Sequence, residues 1–111
     1  MKKLLRSLDE RDLEWKEQAD GKGKILEKTL NHDPSTGAST KLAKFLPGYE
    51  GDTEDDHELW EEVYYLEGEL IETTRKITYR PGMYECIPPH TMHGPYSTKV
   101  GCLLLEVYYQ K

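Results

Sequence analysis

The chain has a single phenylalanine, two cysteines and three methionines in 111 residues. It also has no apolar run near the roughly 20 residues that a membrane-spanning helix needs. Its Met-Lys-Lys-Leu-Leu start carries no long apolar stretch followed by a cleavage site, so a cytoplasmic protein without a membrane partner is expected. In a reducing compartment Cys86 and Cys102, on separate predicted strands, read as buried small hydrophobes rather than a disulfide. Neither has a neighbouring histidine that would make it a nucleophile. Basic residues are in deficit: the formal net charge is -6, the wrong sign for displacing counterions from nucleic-acid phosphates. A phosphate-cradling glycine loop, a Ser-His-Asp order with a nucleophile elbow, internal repeats and low-complexity tracts are all missing.

What remains is rich in charge, 32% of residues, and in tyrosine, of which there are eight, alongside two tryptophans. That aromatic content sets the chain apart from compositionally disordered ones, and its length suits one domain with one core. Residues 2–15 hold a capping-box pattern in Ser7 and Glu10, which predicts a short helix or an extended arm, and residues 18–23 read as a linker. The expected division is therefore an arm over residues 1–22 and a folded domain over 23–111. From residue 24 the pattern becomes short alternating segments at about 24–30, 38–46, 60–66, 69–73, 75–79, 83–87 and 100–109. Glycine and proline turns separate them, including the dense cluster NHDPSTG at 31–37. Such spacing predicts an all-β, antiparallel sandwich or barrel.

Three of the four histidines, His57, His90 and His93, flank this strand-turn-strand region together with Asp55 and Glu61. With regular two-residue periodicity Asp55, His57, Glu61, Val63 and Tyr65 would share the inner face, while Asp56, Glu62, Tyr64 and Leu66 would face out. Neutral imidazole is the commonest protein ligand for first-row transition metals, and a carboxylate adds compensating charge. The same spacing also fits a solvated acidic face. Trp60 is placed beside the pocket, and Tyr65, Tyr84, Tyr96 and Tyr108 could bring phenols to a ligand or simply pack. Glu106, in an otherwise apolar last strand, must face outward or orient a histidine. His32 reads as a surface turn residue.

At these residues the chain resembles the cupins, whose motifs run G-x5-H-x-H-x3-4-E-x6-G and G-x5-P-x-G-x2-H-x3-N. Glu61 and Gly68 fit the end of the first motif, His57 falls on its second histidine and Asp55 stands where the first would be. A competing register, counted from Gly51, makes His57 the first histidine and puts Leu59 in the second place. In the second motif Gly82, Pro88 and His93 match, His90 replaces a glycine and Ser97 the asparagine. The phrases LNHDPSTGASTKLAKFLPG, WEEVYYLEGEL and HGPYSTKVGCLLLEVYY look like the ChrR-type and acetylacetone-dioxygenase-like cupins. The resemblance implies a jelly-roll-like cupin β-barrel with one divalent transition metal, iron first, then zinc, nickel or manganese. The implied ligands are His57, Glu61 and His93, with Asp55 as a fourth; His90 or Tyr96 is the implied acid or base. It further implies a small-molecule substrate and oxygen-dependent cleavage of a carbon-carbon bond in a β-dicarbonyl or hydroxyketone. The alternatives it leaves open are a non-catalytic metal-binding or sensor cupin and a sugar-binding or isomerase cupin. Small cupins commonly pair, so a homodimer is expected, with Tyr64, Leu66 and the 103–109 strand as its apolar patch.

Overall fold

The computed structural model describes residues 2–18 and 21–110, and these form two antiparallel sheets packed face to face. The strands are β1 (Lys16–Gln18), β2 (Ile25–His32), β3 (Ser39–Phe45), β4 (Trp60–Gly68), β5 (Leu70–Glu72), β6 (Ile77–Tyr79), β7 (Tyr84–Ile87), β8 (Tyr96–Ser97) and β9 (Cys102–Tyr109). The larger sheet has the order β1-β2-β3-β9-β4-β7 and the smaller β6-β5-β8. The last strand therefore sits at the centre of the large sheet, paired with β3 on one side and β4 on the other. This is the expected all-β jelly-roll-like sandwich.

Alternation fixes which side chains look inward. Val63 and Tyr65 are buried while Tyr64 and Leu66 are exposed, so successive β4 side chains turn to opposite faces as a two-residue period requires. The core joins Ala43, Val63, Tyr65, Leu70, Tyr79, Cys102 and Leu104 across the two sheets. Tyr65 and Tyr79 stack at its centre with ring centroids 4.7 Å apart. At the end of β4 the chain passes to β5 through Gly68, whose φ is 74° and where a Cβ would lie 2.0 Å from the Gly101 carbonyl oxygen. Only glycine fits that crossing.

Several elements depart from expectation. The 69–73 segment shortens to β5, and the 75–79 segment to β6, because Arg75 and Lys76 belong to the turn and Lys76 adopts a left-handed φ of 57°. The two-residue β8 and the three-residue β1 are additional; Gln18, placed in a linker, pairs with Ile25. In the arm the helical segment is a single 3₁₀ turn, Glu10–Asp12, capped by Asp9, whose carboxylate accepts from the Arg11 amide, rather than by Ser7. The arm lies on the outer face of β2, where Lys28 donates to Glu10 Oε2 at 2.7 Å and its ammonium sits 4.6 Å from the Trp15 ring. Both cysteines are free thiols, but Cys86 is exposed, not buried, because its register with Glu62 turns it to the outer face. His32 ends β2 rather than lying in the turn, and it is exposed.

Candidate metal centre

Glu61 is the second residue of β4 and points inward, 4% exposed, at the end of the barrel nearest two loops. One loop, before β4, carries His57; the other, between β7 and β8, carries His93. The loops are joined by backbone hydrogen bonds: Asp55 and His93 exchange a pair, each 2.9 Å, and the His90 amide donates to the His57 carbonyl at 2.9 Å. His57 thus reaches the barrel from a loop locked to its neighbour, not from the regular ladder that the period-two argument assumed.

The two imidazoles are set alike. Nδ1 of His57 lies 2.8 Å from the Leu59 carbonyl oxygen, and Nδ1 of His93 lies 2.9 Å from that of Thr91. A carbonyl can only accept, so Nδ1 carries the proton in each ring and donates it, which aims a lone pair or a second N–H from each Nε2. Both Nε2 atoms face Glu61 Oε1, at 2.9 Å for His57 and 3.7 Å for His93, and the ring centroids are 4.9 Å apart. Among the described residues, one ligand atom from each of His57, Glu61 and His93 can be chosen so that all lie within 4.8 Å of one another. Neutral imidazole nitrogens and a carboxylate oxygen this close need a cation or a proton between them, and the donor set suits a divalent transition metal.

Behind Glu61 lies a second carboxyl. Tyr108, which pairs with Glu61 across β4 and β9, has its hydroxyl 3.1 Å from Glu61 Oε2 and 2.9 Å from Glu106 Oε2, so its single proton is shared between the two carboxyls. Glu106 therefore faces inward, against the outward alternative. Burial pushes its carboxyl up to about 8, reinforced by the charge of Glu61 and the hydrogen bond to it, while the Tyr108 hydroxyl acts the other way. Burial also raises Glu61 above the usual carboxylate range. Tyr96 lies with its ring centroid 6.4 Å from that of His93; burial first, then the charges of Glu85, Glu72 and Glu61, hold its phenol protonated well beyond the ordinary range.

The loop carrying His93 is anchored from β5. Glu72, 3% exposed, accepts from the Gly94 amide at 2.8 Å and from Arg75 Nη1 at 2.9 Å, and Arg75 Nη2 donates to the Met92 carbonyl at 3.0 Å. A cavity of about 90 Å³ extends from Glu61 and His93 into the barrel, reaching Glu85, Tyr96 and Glu106. It adjoins a mouth of about 210 Å³ that shares Phe45, His93 and Tyr96 and has Asp55 on its rim.

The structure brings together His57, Glu61, His93 and Tyr96. Asp55 stands apart: its side chain is exposed, with Oδ1 accepting from the Asp56 amide at 2.9 Å. His90 stands apart too. Its φ of 60° keeps the turn the glycine would make, and this carries a ring 69% exposed toward Asp56 Oδ2, 3.7 Å away. Trp60 is on the outer face, stacked on Tyr109 at 6.3 Å, and does not wall the cavity. Tyr84 is likewise outside, 57% exposed, whereas Tyr65 and Tyr108 line the cavity. Glu72 and Glu85 escaped sequence reasoning, although Glu85 lies two residues before the inward Ile87 and shares its parity.

Comparison with known proteins agrees with this architecture. No protein-family model matches the chain, and no curated protein matches it. Among solved structures it is similar to KdgF from Halomonas sp., at 23% identity and a TM-score of 0.75, covering 97% of this chain and 96% of that one. It is similar also to an RmlC-like cupin from Shewanella frigidimarina, at 19% identity, a TM-score of 0.75 and coverage of 99% and 94%. A third is a putative acetylacetone dioxygenase from Methylibium petroleiphilum PM1, at 16% identity, a TM-score of 0.77 and coverage of 98% and 83%. The chain has the cupin fold, with a three-residue group able to hold a metal ion.

Proposed function

We propose that this cupin holds one divalent transition metal through His57, Glu61 and His93 and uses it on a small chelating molecule. The observation that carries the reading is the matched pair of imidazoles, each tied at Nδ1 to a carbonyl and each turned at Nε2 toward one carboxylate oxygen. Two histidines and one carboxylate with open positions form the arrangement of non-haem iron oxygenases, so iron is the first assignment and zinc, nickel or manganese the next. The reaction class we assign is oxygen-dependent cleavage of a carbon-carbon bond in a β-dicarbonyl or hydroxyketone, supported by the likeness to a putative acetylacetone dioxygenase.

When bound, the metal supplies Lewis acidity and a route for electrons. The protein does the rest. Nδ1 donation orients both rings, and Tyr108 orients Glu61. Of the two implied acid or base groups, Tyr96 is the one at the boundary of cavity and mouth, whereas His90 is turned to solvent. The narrow cavity, about 90 Å³, leaves room for few waters beside the reacting atoms.

Oxygen uptake with a panel of diketones and hydroxyketones, on protein purified anaerobically without an affinity tag, tests the assignment. Uptake in proportion to metal content supports it; stoichiometric metal with ligand binding and no turnover shows a binding module instead. We further propose that two copies pair through the outer face of the large sheet, where Tyr64, Leu66 and Tyr84 are exposed.

A further inference from the structure

The inner face of the large sheet carries two carboxylates that the metal centre does not use as ligands. Glu85 on β7 and Glu106 on β9 both pair with Val63 of β4, one from each side, so the three residues form a single row facing the cavity. Glu85 is clamped: its Oε1 accepts from the Tyr65 hydroxyl and its Oε2 from the Tyr79 hydroxyl, both at 2.8 Å. Each oxygen has a second lone pair left for another donor. Glu106 has the opposite condition. Although the residue as a whole is only half-buried, its Oε1 is sealed from solvent and has no hydrogen-bond partner. A buried polar atom in that state costs free energy until something completes it.

Among the described residues no lysine or arginine lines this cavity. Lys41 pairs in register with Glu106, but its ammonium lies 3.9 Å from Glu27 and 5.7 Å from the centre of the Tyr108 ring. A ligand carboxylate entering here would meet the Glu85 carboxylate, with no cationic side chain among the described lining residues to pair with, whereas a hydroxyl could donate to the remaining lone pairs of Glu85 and complete the unpartnered Glu106 Oε1. At about 90 Å³ the cavity is far below the roughly 300–1,000 Å³ of drug-sized sites, so a ligand of a few non-hydrogen atoms fits.

We propose that Glu85 and Glu106 form a hydroxyl-recognising wall that restricts the cavity to small uncharged ligands bearing O–H donors and turns carboxylates away. The proposal narrows the substrate of the metal site described above and rests on that reading only for which end of the ligand faces Glu61. Specificity arises as much from the repulsion as from the hydrogen bonds.

Calorimetric titration of the full chain with dihydroxyacetone and with malonate tests this, on metal-loaded and on chelator-stripped protein. Dihydroxyacetone should bind at least about tenfold more tightly than malonate, the penalty expected when a site built for hydroxyl groups meets the wrong partner. Glu85→Gln should weaken dihydroxyacetone by about tenfold and bring malonate level with it, whereas Glu106→Gln, which removes little charge near neutral pH, should weaken dihydroxyacetone by about tenfold and leave malonate excluded. Elemental analysis should find wild-type metal content in Glu85→Gln, whose side chain is held by Tyr65 and Tyr79 rather than by a ligand residue, which separates the wall from the metal ligands. A wild-type protein that takes up no metal yet keeps the preference would remove the metal reading and leave the wall standing. Should Glu85→Gln not fold, Glu85→Asp, which keeps the charge but withdraws it, should lose dihydroxyacetone and still exclude malonate. Equal binding of the two probes by the wild type, no binding of dihydroxyacetone, or variants with an unchanged ratio would overturn the proposal.

Discussion

His57 and His93 each commit one ring nitrogen to a backbone carbonyl and offer the other to the same carboxylate. Neither ring belongs to the core cluster, so His57→Ala and His93→Ala should each strip the protein of metal while leaving a folded barrel. Elemental analysis beside circular dichroism checks both halves of that statement, and stoichiometric metal in both variants would show the ligand set to be wrong. Glu106 gives a pH signature. Its folded value of about 8 stands above the ordinary 4.5, so the folded state binds more protons than the unfolded state between those two values. In metal-free protein its contribution is complete below the unfolded value and is lost as pH rises through the folded one. Thermal unfolding of metal-free wild type should therefore show stability declining from about pH 5 to pH 8, and Glu106→Gln should flatten the decline; equal slopes would refute it. At this scale the grouping of His57, Glu61 and His93 was suggested by the resemblance to the cupin motifs, since spacing alone fitted a solvated acidic face as well. The places of Asp55 and His90 were not legible, because exposed loop side chains are placed by backbone turns that no periodicity records, as the left-handed His90 shows.

Strands β4 and β9 were legible because WEEVYYLEG and CLLLEVYY gather apolar and aromatic residues between turns, and on β4 a two-residue period places Val63 and Tyr65 inward. That same alternation carried Glu85 and Glu106 inward, yet a charge in an inward position reads from sequence as an argument for the outside. Short partners such as β8 are set by tertiary pairing and leave little pattern. Two consequences follow for the elements. Gly68→Ala would drive a methyl into the Gly101 carbonyl and force a left-handed backbone, costing about 1–3 kcal/mol in urea unfolding. An unchanged midpoint would mean that the crossing relaxes. Glu72→Ala removes the anchor between β5 and the loop of His93. Metal affinity should fall by about 10–100-fold, as for other residues that hold a ligand in place, with the three ligands themselves intact. Competition against a chromogenic chelator measures that fall.

The outer face of the large sheet is covered at one end and exposed at the other. The N-terminal arm lies over β2, burying Lys28 against Glu10 and Trp15. The face over β9, β4 and β7 keeps Tyr64, Leu66 and Tyr84 exposed. If that face pairs two copies, sedimentation at micromolar concentration should give a dimer and Tyr64→Asp a monomer; a wild-type monomer would refute the pairing. No helix among the described residues is long and apolar enough to cross a membrane. The antiparallel sandwich was foreseeable from turn spacing and its jelly-roll form from the motif resemblance, whereas the arm's course was not, since a buried lysine and a cation-π contact leave no periodic trace. Because the loops bearing His57 and His93 are stitched by three main-chain bonds, they behave as one flap. Deuterium should enter the amides of residues 55, 90 and 93 at a common rate, and loading the ion should slow all three by the same factor.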